Sequence, residues 1–370
     1  MTPLKQDRVI FMKVPDYIAK LKPYVPGKPI EELEREYGIS GSVKLASNEN
    51  PIGPSPKALE AIRGALRNMH RYPDGSNYHL RKRLAEKLEV SVDQIVLGNG
   101  SNEIIELLVR TFLQEGDEVI MPEPSFLMYE IMVQAGGGRP VKVPLKERVL
   151  DLDGMARDTS SKTRMIFVNN PNNPTGTIVS REDFERFLQH VPPEVIVVMD
   201  EAYIEFVRDR TCPIGLDYLD SDKTVVTLRT FSKVYGLAGL RIGYGVMKES
   251  LTGLLDRVRQ PFNTNLLAQV GALAALDDEA FLKKTINTVH KGLDFLYQEV
   301  EKLGLRYFST QTNFFLIDLE RDANSVFEKM LRSGVIVRPM TAYGYPNYIR
   351  INVGLPEENH RFVEALRKVI

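Results

Sequence analysis

The sequence predicts an α/β fold, with a mostly parallel sheet flanked by helices in a large domain and a smaller α+β domain after it. Three observations carry that expectation. Apolar runs of strand length alternate with amphipathic runs of helix length from Leu45 to about Ala275. Polar or small residues cluster where the apolar runs end. After about Ala275 the alternation gives way to one long helical segment followed by shorter strands and helices. These changes set the expected boundaries: 1–44 for an N-terminal arm and small-domain segment, 45–275 for the large domain and 276–370 for the small C-terminal domain.

The arm holds scattered prolines (Pro15, Pro23, Pro26, Pro29) and a short charged helix, IEELEREYG, so it reads as a segment that packs on something else. DQIVLGNG then predicts a strand and EIIELLVRTFL a helix. DEVIMPEPS, RMIFVNNPNNPTG, EVIVVMDEAY and KTVVTLRTFSK predict further strands, with REDFERFLQHV as a helix among them. In the last segment, FLKKTINTVHKGLDFLYQEVEKLG predicts the long helix. TNFFLIDL, VIVRPM and YIRINVG follow as strands, with SVFEKMLRSG and the C-terminal residues as helices. Ligands of such sheets sit beyond the carboxyl ends of the strands. GNGSNE, PEPSF, NNPNNPTG, DEAY and TFSK all stand at such ends, so five strand ends are expected to converge on one site.

Bulk properties narrow the function classes. The 370 residues carry a formal net charge of −1, with 26% charged and 43% hydrophobic residues. That balance points to neither nucleic acid nor membrane, and no stretch approaches the roughly 18 uninterrupted apolar residues of a membrane helix. A single cysteine, Cys212, excludes an internal disulfide framework and reads as structural. The N-terminus lacks the long apolar region of a secretion signal, which leaves the cytoplasm as the expected compartment. The five histidines show no metal-ligand or triad grouping, so no metal is expected. GNGSNE departs from G-x-G-x-x-G at its last position, which disfavours a dinucleotide-binding dehydrogenase.

NPNNPTG, DEAY and TFSKVYGLAGLR, in this order, resemble a fold-type I aminotransferase dependent on pyridoxal phosphate. SNENPIGPS, RYPDG and GNGSNE narrow the resemblance to the histidinol-phosphate aminotransferase family, over nearly the whole chain from Tyr24 to Gly354. The resemblance implies amino transfer between L-glutamate and imidazole acetol phosphate in histidine biosynthesis. An aromatic amino acid aminotransferase, or an enzyme of dual specificity, shares all the cofactor chemistry and stays open as the alternative.

Each motif has a physical role under this reading. Lys233 would be the amine that condenses with the cofactor's aldehyde, and then the general base and acid of proton transfer. Asp200, at the end of an apolar run, would keep the pyridine nitrogen protonated. Tyr203 and Asn173 would reach the cofactor's phenolic oxygen, although the Pro and Asn content of NNPNNPTG also predicts a plain turn. Gly100, Ser101 and Asn102 open a helix and offer amides to the phosphate. Asn102 stands where the resemblance leads one to expect aspartate. Ser232, Thr230 and Arg241 would add donors to the same phosphate. Tyr129 is expected to stack on the cofactor ring. Tyr72, in RYPDG, would reach the phosphate bound in a neighbouring subunit, which implies a homodimer. Arg350 would take the α-carboxylate of glutamate, with Arg338, Tyr24 and Asn48 as further substrate contacts.

Overall fold

The computed structural model describes residues 13–24 and 27–370. The opening segment read above against a secretion signal lies largely outside them. Thirteen strands occur among the described residues. In chain order they are β1 (Val43–Lys44), β2 (Ile95–Gly98), β3 (Glu118–Glu123), β4 (Arg139–Pro144) and β5 (Thr163–Asn169). Next come β6 (Ile196–Asp200), β7 (Thr224–Thr230), β8 (Gly243–Val246), β9 (Arg306–Phe308) and β10 (Phe314–Asp318). The last three are β11 (Val335–Ile336), β12 (Arg338–Pro339) and β13 (Tyr348–Asn352).

Seven strands form one sheet in the order β2-β8-β7-β6-β5-β3-β4. The pairs from β7 through β6, β5 and β3 to β4 are parallel, whereas β8 runs antiparallel to both β7 and β2. β8 has a weak strand signal, because two of the four residues of GYGV are glycines, which strands disfavour. Its glycines have a packing reason. A Cβ at Gly245 would lie 3.2 Å from Ile104, on the helix Ser101–Phe112 that covers this part of the sheet. That helix buries Ile104, Ile105, Leu107, Leu108 and Val109, and each such side chain contributes roughly 1.5–3 kcal/mol of hydrophobic stabilisation.

A second sheet, β12-β13-β10-β9, is antiparallel throughout. The long helix Glu279–Lys302 and the C-terminal helix Pro356–Val369 pack beside it and against each other. β1 belongs with this half of the molecule, for it pairs in parallel with β11, Val43 opposite Val335. The helix Ile30–Tyr37 buries Leu33 in a small cluster with Ala46, Leu331 and Ile336. The stretch from Ile30 to Lys44 therefore joins the C-terminal layer before the chain enters the large sheet.

Candidate active site

The carboxyl ends of β2, β5, β6 and β7 and the ends of β12 and β13 enclose a cavity of about 290 Å³. Its walls gather every residue singled out from the sequence except Tyr72 and Tyr129.

The centre of the cavity holds an amine and an acid. Lys233 follows β7, and its Nζ donates to the Ser47 carbonyl at 3.3 Å, 5.5 Å from the centre of the Tyr203 ring. Burial, and then the neighbouring Arg350 cation, brings its pKa down to about 8. Asp200 ends β6 and is buried. Burial pushes its carboxyl up to about 6, against the opposing hydrogen bond from Tyr129. Behind it, Glu201 is fully buried and is satisfied by Arg229 at 2.8 Å and by the Gly215 amide. Tyr203 accepts from Asn48 Nδ2 at 2.9 Å, which leaves its own hydroxyl proton free to point elsewhere.

The end near β2 is built for an anion. Gly100 has φ +73°, and the helix that starts at Ser101 has no side-chain cap, so its first amides need another acceptor. A Cβ on Gly243 would lie 2.5 Å from the Ser101 nitrogen, so the glycine lets β8 back this helix end closely. Arg241 crosses over Gly100 and donates to Ser232 Oγ at 3.4 Å and to the Ala238 carbonyl at 3.1 Å. Thr230 accepts from the Ser232 amide at 3.1 Å and so holds the loop in place. Glu103 accepts from the Asn99 amide at 2.6 Å and from Asn263 at 2.9 Å, which fixes the loop before the helix. We expect Gly100→Ala to weaken retention of pyridoxal phosphate by about tenfold to a hundredfold, a lost charge-assisted contact. The new Cβ would lie 2.6 Å from an Arg241 nitrogen, and equilibrium dialysis of the loaded protein measures the effect.

The opposite wall is cationic. Arg350 on β13 is buried, donates to Asn173 Oδ1 and to the Ala46 carbonyl, and lies over the Phe314 ring at 5.0 Å. Its Nε is a buried donor with no partner among the described residues, a reserve for a ligand's oxygen. Arg338 stands opposite Arg350 across the β12–β13 pairing, with its guanidinium 6.0 Å from the Tyr24 ring centre. Asn48 is buried at φ +56° and donates its amide to Asn352.

One residue, Tyr129, stands elsewhere than its motif predicts. Tyr129 is fully buried and stacks on Phe167, with ring centres 4.3 Å apart. Its hydroxyl donates to Asp200 Oδ2 at 2.7 Å. It therefore has no face on the cavity, and the ring on the wall is Phe126, three residues earlier in PEPSF. The strand-end cluster PEPSF was itself signal enough for Phe126. Tyr72 is 84% exposed and stacks on Phe262 at 4.8 Å, outside the cavity of its own chain. Glu49, within SNENPIGPS, and Tyr343, outside every motif, also line the cavity.

The donor set fits pyridoxal phosphate. There is an amine for its aldehyde, a buried acid for its ring nitrogen, and helix amides with a serine and an arginine for its phosphate. A family model of aminotransferase class I and II matches residues 40–366, so fold and site together define an aminotransferase of that class. The histidinol-phosphate aminotransferase of Desulfotalea psychrophila is 49% identical, with 98% of this chain and 97% of that one covered. The one from Moorella thermoacetica is 47% identical over 97% of this chain and 93% of that one. A crystal structure of the Sinorhizobium meliloti histidinol-phosphate aminotransferase in complex with pyridoxal-5'-phosphate superposes with a TM-score of 0.90 at 28% identity, covering 97% and 98% of the two chains. The chain belongs to the histidinol-phosphate aminotransferase family.

Proposed function

We propose that this chain transfers an amino group between L-glutamate and imidazole acetol phosphate, giving 2-oxoglutarate and L-histidinol phosphate. The observation that carries the reading is one cavity with Lys233 and Asp200 at its centre, an anion-binding helix end on one side and two arginines on the other. Pyridoxal phosphate, when bound, supplies an aldehyde that takes up the amino group and a ring that accepts electrons released at the substrate's α-carbon.

The chain's own groups do the rest. The neutral amine of Lys233 takes the proton from the α-carbon and returns it, a role its lowered pKa suits near neutral pH. Asp200, as a carboxylate, holds the proton of a ring nitrogen. Asn173 offers its Nδ2, because Arg350 already occupies its Oδ1, and Tyr203 offers its hydroxyl proton. Arg350 orients the α-carboxylate of glutamate. Arg338, with Tyr24 beside it, suits the second anionic group: the side-chain carboxylate of glutamate or the phosphate of histidinol phosphate. Two spread anions of different chemistry can thus use the same cationic wall in turn.

Single-turnover absorbance tests the substrate. The loaded protein is mixed separately with L-histidinol phosphate and with L-phenylalanine. We expect the cofactor's visible band to be lost at least tenfold faster with histidinol phosphate. Equal or faster loss with phenylalanine would make this an aromatic aminotransferase.

The domain division at 44 and 275 is supported by sheet membership, since the seven-stranded sheet lies within 95–246 and the four-stranded one within 306–352. The site is completed, on this reading, by Tyr72 from a second copy in a homodimer working in the cytoplasm. Support comes from an exposed apolar patch around it, with Leu66, Met69, Tyr78 and Phe262 each more than a third exposed. Mixing Tyr72→Ala and Lys233→Ala proteins should then restore activity, to about a quarter of the native level after random subunit exchange. Recovery requires that the intact lysine of one subunit meet the intact tyrosine of the other, so no recovery would place Tyr72 outside the site. No described helix is long and apolar enough to cross a membrane.

A further inference from the structure

We propose that Tyr129 is a positioning residue for the amino-transfer reaction: its phenol holds Oδ2 of Asp200 so that a carboxylate, not the acid, faces the cavity. The inference rests on the function proposed above, and its geometry is independent of it.

The phenol is clamped on both sides. Its ring lies nearly parallel to Phe167, 4° between planes, and meets Phe126 edge to face at 5.5 Å and 87°. With the ring fixed, the hydroxyl proton is committed to Asp200 Oδ2 at 2.7 Å. The other oxygen, Oδ1, has only the Ala202 amide at 3.3 Å and is the less satisfied of the two. A donated hydrogen bond favours the ionised form of a buried acid. The other charged or titratable groups acting on Asp200 are Glu201 beside it on the chain, which opposes ionisation, and Lys233 and Tyr203 from the cavity side. Tyr129 is the group that approaches from the helix Met128–Ala135, and Phe126, just before that helix, lines the cavity. One short segment thus supplies both the ring on the wall and the bond that sets the acid's charge.

The test uses infrared difference spectra of the apoprotein, with Asp200→Asn identifying the carboxylic-acid band of Asp200. In the native chain that band should disappear with a midpoint near pH 6. In Tyr129→Phe, which keeps the stacked ring, the midpoint should rise by about one unit, a tenfold gain in proton affinity. The affinity of this variant for pyridoxal phosphate should fall about twofold relative to native at pH 7, approach a tenfold deficit near pH 5 and match native at pH 9, where Asp200 is ionised in both. An unchanged midpoint, or a deficit independent of pH, would overturn the proposal and leave the bond a structural one. If Tyr129→Phe does not fold, Phe167→Leu leaves the hydroxyl but loosens its clamp. A raised Asp200 midpoint there sustains the idea and an unmoved one overturns it. The titration needs neither cofactor nor substrate, so its failure is separate from a failure of the native protein to transfer amino groups.

Discussion

Lys233→Ala abolishes transamination, with kcat lower by on the order of 10⁴-fold or more, while the chain keeps its fold. Among the described residues the amine meets the Ser47 carbonyl at 3.3 Å and the Tyr203 ring face at 5.5 Å, so few native contacts leave with it. Near-native turnover in steady-state assays would remove Lys233 from its role. Its titration gives a second readout. The folded value of about 8 lies below the ordinary 10.5, so between these limits the unfolded chain binds more protons than the native one. The charged amine therefore costs stability below pH 8, and the cost lifts as pH rises from 8 to 10.5. Lys233→Met should stabilise the apoprotein by about 1 kcal/mol at pH 7, a figure discounted because the amine is partly accessible through the cavity. Denaturant titrations should show that advantage shrinking toward pH 10.

Arg350→Ala raises the KM for glutamate by about 10²–10³-fold, the cost of removing one side of a buried, hydrogen-bonded charge pair. The guanidinium is held by Asn173 and the Ala46 carbonyl and keeps Nε in reserve, so a fixed donor fork meets the carboxylate. Lysine cannot reproduce that fork, and Arg350→Lys should recover little of the loss. An unchanged KM in initial-rate measurements would mean that another cation takes the carboxylate.

Most of the large sheet and of the cavity was legible, because a parallel sheet writes its site at strand ends, where polar residues interrupt apolar runs. Asp200 after VIVVM and Lys233 after β7 are both of this kind. What escaped depends on groups without a sequence signature. The carbonyls of Ala46 and Ser47, which accept from Arg350 and Lys233, are backbone atoms of unremarkable residues. Phe126 and Tyr129 differ by three positions, and only the path of the chain after Pro124 decides which ring reaches the cavity. β8 could not be read because its two glycines serve the close approach of a helix and leave only Tyr244 and Val246 as strand-forming side chains. The buried Glu201–Arg229 pair joins DEAY to the middle of TLRTFSK, a contact between neighbouring strands that neither motif announces.

The parallel pairing of β1 with β11 carries a consequence for the order in which the chain matures. Val43 must wait for Val335, and Asn48 for Asn352, 304 positions later. As the chain leaves the ribosome, the large sheet can close long before these partners exist, since its strands lie between 95 and 246. The segment that carries Ser47 and Asn48 is thus among the earliest made and the last secured. Loop closure over such a span is slow, so the pocket for Lys233 is finished only when the C-terminal layer docks. In a chain lacking its final strands, the lysine after β7 would have no cationic wall facing it.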